Sequence, residues 1–94
     1  MKLRRTRRYQ AELRRQYEFL RQRNPQAAEA VVDRIHHATL RLKEFPESGR
    51  SWRRPGTWEL VVPGTPYIVV YRIKDDVVEV LTLFHAAQEA PHVH

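Results

Sequence analysis

The chain has no cysteine. That excludes a disulfide scaffold, a thiolate zinc site and a thiol nucleophile, and it fits a reducing compartment. Glycine is scarce, three in 94 residues, and no Gly-rich loop is available to cradle a phosphate. No apolar run approaches the length of a bilayer span. The basic start Met1-Lys2-Leu3-Arg4-Arg5 is followed by no apolar core of a signal peptide. Internal repeats and low-complexity linkers are lacking as well. One soluble cytoplasmic domain over residues 1–94 is therefore expected, with no membrane partner. At this size roughly 60–65% of the extended-chain surface is buried on folding.

What is present is positive charge, and it is unevenly placed. The net charge is +6. Residues 1–23 hold nine Lys/Arg (Lys2, Arg4, Arg5, Arg7, Arg8, Arg14, Arg15, Arg21, Arg23) against Glu12 and Glu18. Residues 24–45 balance at three against three, and residues 46–94 carry five basic against six acidic. A basic first quarter favours an anionic partner, either nucleic acid or an acidic protein segment. The plainer reading of the same residues is a solvated Arg-rich helix face.

Residues 1–6 suit a short edge strand whose charges discourage edge-to-edge pairing. Thr6 suits a helix N-cap. From Arg7 to Arg23 the residues Tyr9, Leu13, Tyr17 and Leu20 recur at spacings of four, four and three, one helical stripe with Phe19 off it. Glu18 and Arg21, three apart, add a weak ion pair. Asn24-Pro25 breaks the helix and restarts another, with Asn24 as cap and Pro25 at the first helical position. The second helix is expected over 25–45, with Ala28, Val31 or Val32, Ile35, Ala38 or Thr39, Leu42 and Phe45 on one wide face. With almost no loop between them, the helices form an antiparallel hairpin.

Residues 46–56 read as loop. Three strands follow, Thr57–Val62, Tyr67–Lys74 and Val77–His85, a meander over 57–85. Pro63-Gly64-Thr65-Pro66 and Asp75-Asp76 supply the turns. Ala86–His94 reads as a fraying tail. The fold class is α+β in the order β-α-α-β-β-β, with the helical hairpin on one face of a small antiparallel sheet.

Tyr67–Ile73 is apolar on both parities, which suits a central strand covered on both faces. Tyr67, Val69, Tyr71 and Ile73 share one parity; Ile68, Val70 and Arg72 share the other. If the Tyr-bearing parity meets the helices, Ile68 and Val70 are left beside Arg72 as an exposed apolar patch, the mark of a binding surface.

Other candidate chemistry is sparse. His85 ends the last strand and is a lone histidine, more often a hydrogen-bonder than a base. Arg50, Arg53 and Arg54 lie among Trp52 and Trp58, a mixture that suits nucleic acid, a protein hot spot, or packing across the helix–sheet junction. His36 and His37 lie on different helix faces and cannot share a metal. His92-Val93-His94 lacks second-shell support as a chelate. No metal or other cofactor is expected.

The chain resembles the RelE/ParE superfamily of toxins from type II toxin–antitoxin pairs. The residues that carry the resemblance are Asn24-Pro25-Gln26-Ala27-Ala28 and Leu42-Lys43-Glu44-Phe45-Pro46-Glu47-Ser48-Gly49-Arg50. Glu59 through Tyr67, then Val69-Val70-Tyr71-Arg72, Val78-Glu79-Val80-Leu81 and Phe84-His85 complete it. They look more like the ParE branch. RelE-type members are ribosome-dependent ribonucleases whose strand Arg follows the first Tyr of a Tyr-Arg-x-x-Tyr pattern. That position is Ile68 here, and nothing after Lys74 is Lys or Arg.

The resemblance therefore implies a ParE-like toxin that blocks DNA gyrase by binding rather than as an enzyme. Its neutralising partner is a cognate antitoxin whose C-terminal segment folds along the hairpin. Leu13, Arg14, Tyr17, Leu20, Arg21, Ile68, Val70 and Arg72 are the expected antitoxin contacts. The alternative is a RelE-like nuclease acting on RNA at the ribosome, with Arg53, Arg54, Arg72 and His85 as its catalytic candidates. A third is a degenerate member that only binds antitoxin.

Overall fold

A computed structural model of the protein describes residues 1–88 together with Ala90 and Pro91. The chain begins with strand β1 (Lys2–Arg5), followed at once by helices α1 (Arg7–Arg23) and α2 (Pro25–Arg41). Strands β2 (Arg50–Ser51), β3 (Thr57–Val61), β4 (Tyr67–Lys74) and β5 (Val77–His85) complete it. They form one five-stranded sheet in the order β1-β5-β4-β3-β2.

Capping chemistry sets both helix starts. The Thr6 hydroxyl accepts the Tyr9 N–H, and the Asn24 side chain accepts the Ala27 N–H at 3.1 Å, with Pro25 opening α2. The Asn24 N–H in turn donates to the Leu20 carbonyl at 2.8 Å, so one residue closes α1 and opens α2. That double use is why the hairpin needs no loop.

α2 ends at Arg41, four residues short of the expected Phe45. The chain tightens there: Leu42, Lys43 and Glu44 each donate to the carbonyl three residues back. Leu42 stays fully buried, but Phe45 swings outward, half-exposed, with the Arg41 guanidinium 5.4 Å from its ring. The Tyr71 hydroxyl anchors the connection that follows. It donates to the Pro46 carbonyl at 2.8 Å and accepts the Gly49 N–H at 3.0 Å. Gly49 has to be glycine: a Cβ would collide with the Glu59 carbonyl and lie 2.7 Å from the Tyr71 oxygen.

The sheet departs from the expected antiparallel meander in two places. β1 runs parallel to β5, with Lys2 opposite Val77 and Arg5 opposite Val80, so the sheet is mixed. A parallel edge follows from the topology, because the helical hairpin carries the chain back before β2 begins. Residues 50–51, expected as loop, pair antiparallel with β3. β4 lies in the centre, against β3 on one side and β5 on the other. A bulge at Val70/Tyr71 puts Val70 opposite Thr82 and Tyr71 opposite Val80, leaving Leu81 as the extra residue of β5.

Each face of the sheet is covered differently. On the helical side Tyr9, Ile35, Ala38, Val62, Tyr67, Val69, Val80 and Leu83 form the main core, with Leu13, Leu20 and Val31 packed on it. A second group, Leu42, Tyr71 and Val78, continues this side under Trp58. The Tyr-bearing parity of β4 does face the helices. On the far side Val70 and Phe84 are sealed by Trp52, Ile68, Leu81 and Ala90. Val70, expected to be exposed, is fully buried. The cover comes from chain that reads as loop and tail: Trp52 follows β2, and the segment after β5 folds back. Its Ala86 N–H donates to the Pro66 carbonyl at 2.7 Å and its Gln88 Oε1 accepts the His85 N–H at 3.0 Å, so the tail is held at least that far. His92, Val93 and His94, the weak chelate of the tail, lie outside the described residues.

Candidate functional site

On the outer surface of the hairpin a groove of about 370 Å³ runs between α1 and α2. α1 contributes Tyr9, Gln10, Leu13, Arg14 and Tyr17; α2 contributes Val32 and His36; Arg5 reaches in from the end of β1. The spacing explains the line-up. Tyr9, Leu13 and Tyr17 are successive i, i+4 neighbours on α1, as Val32 and His36 are on α2. The antiparallel crossing brings the two rows together.

Near the turn between the helices the Tyr17 hydroxyl donates to Glu29 Oε1 at 2.8 Å. The acceptance of that proton by Glu29 is the main reason the Tyr17 pKa is raised. At the β1 end Arg5 Nη2 donates to Thr39 Oγ1 at 3.1 Å, and the buried Tyr9 hydroxyl lies against the same two side chains. Burial pushes the Tyr9 phenol up, against the opposing pull of the Arg5 charge and of hydrogen bonding to Thr39 and Arg5. Burial, and then the Arg5 and His37 charges, lower the His36 imidazole. Arg5 at one end and Arg14 towards the other make the groove basic, with Glu29 held by Tyr17 near the turn.

Of the eight expected antitoxin contacts, three line this groove: Leu13, Arg14 and Tyr17. Leu20 packs against the main core, and Arg21 pairs with Glu18 at 3.0 Å on the exposed side. The other three are on the opposite side of the sheet. Ile68 borders a cavity of about 320 Å³ with Trp52, Arg53 and Phe84, and Val70 is sealed beneath it. Arg72 Nε donates to Glu79 Oε1 at 2.5 Å, and Glu79 Oε2 pairs with Arg4. The eight residues therefore do not form one surface.

The four catalytic candidates are divided as well. Arg72 is held by Glu79, whose carboxylate is itself almost buried. Arg53 borders the far-face cavity, and Arg54 is exposed in the loop before Thr57, whose N–H its carbonyl accepts at 3.0 Å. His85 sits on the helical side, edge-on to Tyr67 with ring centroids 5.4 Å apart, and its Nδ1 accepts the Ala87 N–H at 3.0 Å. It shares a cavity of about 410 Å³ with Arg15, Gln16, Phe19, Tyr67 and Gln88. No group of three metal-ligating side chains occurs among the described residues. No described helix is long and apolar enough to cross a membrane.

Sequence reasoning missed Arg5, Tyr9, Gln10, Val32 and His36 as groove residues. Val32 and His36 were legible as an i, i+4 pair beside the core stripe, whereas Arg5 reads only as an edge-strand charge until β1 is placed parallel to β5.

Residues 3–90 match the family described as "ParE toxin of type II toxin-antitoxin system, parDE". Among curated proteins, "Putative toxin Y4kP" of Sinorhizobium fredii is 47% identical over 75 residues, covering 80% of this chain and 77% of that protein. "Toxin RelE2" of Caulobacter vibrioides is 32% identical over 71 residues, covering 76% and 78%. Among solved structures, the "Chromosomal ParDE TA system from P. aeruginosa" superposes with a TM-score of 0.83 at 24% identity, covering 90% of this chain and 95% of that one. The toxin–antitoxin complex RelBE2 from Mycobacterium tuberculosis gives 0.61 at 26% identity, covering 93% and 92%.

Proposed function

This chain belongs to the ParE toxin family of type II toxin–antitoxin systems, and from that premise we propose that it inhibits DNA gyrase by binding. In the cytoplasm a cognate antitoxin holds it inactive by laying a segment in the hairpin groove. The observation that carries the binding reading is the disposition of the groups suited to phosphate chemistry. Arg72 is locked to Glu79 on one face of the sheet, and His85 lies on the other face with its Nδ1 already accepting a backbone N–H. Stabilising a phosphoryl transition state needs cations and a proton carrier aimed at one point. These residues aim at different sides.

The antitoxin reading is supported by the groove itself, an apolar strip flanked by Arg5 and Arg14 that suits an amphipathic, acidic segment. The relatives are named as toxins, and the structural neighbours are toxin–antitoxin systems or complexes.

A second reading is favoured by one observation: Arg15, Tyr67 and His85 border a common cavity, and the Caulobacter relative is named as a RelE toxin. That reading is ribosome-dependent mRNA cleavage. Adding the purified protein to gyrase supercoiling assays separates the two. Loss of supercoiling at micromolar toxin supports gyrase binding. Unchanged supercoiling together with mRNA cleavage on ribosomes, abolished by His85→Ala, replaces it with the nuclease reading. Growth arrest on expression without antitoxin separates both from a degenerate, non-toxic member.

A further inference from the structure

We propose that the cavity between α1 and the end of β5, lined by Arg15, Phe19, His85 and Gln88, receives a carboxylate side chain of the toxin's protein target. It uses Arg15, Gln16 and Phe19 of α1, whereas the hairpin groove uses Leu13, Arg14 and Tyr17, so the two occupy different flanks of one helix. The inference rests on the gyrase-binding reading and adds where, and by what chemistry, that contact is made.

A closed set of hydrogen bonds in the turn after β5 carries the argument. The Gln88 N–H donates to the His85 carbonyl at 2.8 Å, and the His85 N–H donates to Gln88 Oε1 at 3.0 Å. The Ala87 N–H donates to His85 Nδ1 at 3.0 Å. Both side chains thus spend an acceptor atom on a backbone N–H. What they retain are donors. With Nδ1 accepting, the neutral imidazole carries its proton on Nε2, and Gln88 keeps the N–H groups of its amide.

The rest of the lining agrees in sign. Gln16 is engaged at both ends: its Oε1 accepts the Tyr67 hydroxyl at 3.1 Å, and its Nε2 donates to Glu12 Oε1 at 3.2 Å. Arg15 is exposed, with one nitrogen 3.5 Å from Glu12 and the rest of its fork open to a ligand. Among the described residues no carboxylate lines the cavity. A donor-rich recess beside one guanidinium suits a single planar anion.

The surroundings favour a protein over nucleic acid. A phosphate backbone binds along a track of several cations. Here Arg15 is the one lining cation and has Glu12 beside it, while nearby Arg23 is stacked 3.8 Å over the Phe19 ring. Phe19 is 52% exposed at the same place, the apolar neighbour that a protein hot spot needs.

Gln88→Glu is the diagnostic variant. Its Oε1 still accepts the His85 N–H, so the turn is kept, while the amide donors become a charged acceptor. Melting temperature and antitoxin affinity are expected to match the parent, whereas the concentration that halves gyrase supercoiling rises roughly 10-fold or more. Arg15→Gln and Phe19→Ala are expected to raise it several-fold. Changing the contacted gyrase Asp or Glu to its amide then restores inhibition by Gln88→Glu, because amide and carboxylate have exchanged sides.

If the parent inhibits gyrase and all three variants inhibit at the same concentration, the site is overturned and gyrase binding stands. Rescue by no acidic residue of gyrase overturns the carboxylate. An equal loss of antitoxin affinity in Gln88→Glu gives the cavity to the antitoxin and overturns the target contact. A parent protein without effect on supercoiling removes the gyrase reading and this inference with it. Should Gln88→Glu fail to fold, double-mutant cycles of Arg15→Gln with the same gyrase residues decide the question.

Discussion

The two outer surfaces of this protein are finished to different degrees. The far face of the sheet is closed by its own chain. Val70 and Phe84 are covered by Trp52 and Ala90, Arg72 and Arg4 meet Glu79, and Arg50 meets Glu59 at 2.5 Å. The hairpin surface is left open, with Leu13 and Tyr17 partly exposed along a groove between the helices. Charged groups occur on both. Ion pairs occur on both as well. What separates them is whether the apolar residues are covered by the same chain, and the open groove, rather than the more hydrophobic strand, is the site we propose for a second protein. Arginine density alone does not locate a site.

The sharpest way to break this comparison is a matched pair of charge insertions. Val70→Glu places an unpaired carboxylate in a fully buried position and is expected to unfold the domain, seen as loss of a cooperative thermal transition. Leu13→Glu, on the half-open surface, is expected to leave a cooperative transition and to weaken antitoxin binding by about 30-fold or more. A folded Val70→Glu protein with weakened antitoxin binding would reverse the assignment of the two faces.

Next in size, Gly49→Ala forces a methyl group into the Glu59 carbonyl and the Tyr71 hydroxyl. Overpacking of this kind costs about 1–3 kcal/mol, or roughly 5–20 °C in a domain of this length. Because it acts on the loop that ties β2 to the sheet, antitoxin affinity of the folded fraction is expected to stay unchanged. Unaltered melting would mean that the Tyr71 clamp is dispensable.

Glu79→Gln tests the closure of the far face by charge. Arg4 is largely exposed and its share is small, so about 1–2 kcal/mol of destabilisation is expected, chiefly from Arg72. The same variant releases Arg72. Ribosome-dependent RNA cleavage appearing in Glu79→Gln and absent from the parent would show that this ion pair, rather than the fold, suppresses a nuclease.

The smallest expected effect is alkaline. Burial raises the pKa of Tyr9, Tyr67 and Tyr71 above the ordinary phenol value of 10.0. The folded state then holds its phenolic protons to higher pH than the unfolded chain. Their contribution is complete below about pH 10 and declines as pH rises from there through the folded values. A urea midpoint that is flat to about pH 10 and falls above it is expected, with a shallower fall in Tyr71→Phe. A midpoint that rises across this range would contradict the burial of these hydroxyls.

Much of the architecture was legible from local chemistry. Thr6, Asn24 and Pro25 mark the helix starts, and the strict four-residue spacing of Tyr9, Leu13 and Tyr17 gives α1. The parity of β4 followed from Tyr67, Val69 and Tyr71. The site was only half legible. Leu13, Arg14 and Tyr17 carry their own periodic signal, whereas Val70 was misplaced because nothing local announces that Trp52 and Ala90 return to cover it.

The sequence by itself determined the capped hairpin, the central strand, the basic first quarter and the family, since each depends on residues near one another in the chain or on their order. Only the tertiary structure decided which surface is open. That outcome depends on contacts between residues 18 or more apart, such as Trp52 with Val70, Arg4 with Glu79 and Arg5 with Thr39. Burial and charge pairing at that range are properties of the assembled layers, and no periodicity in the chain encodes them.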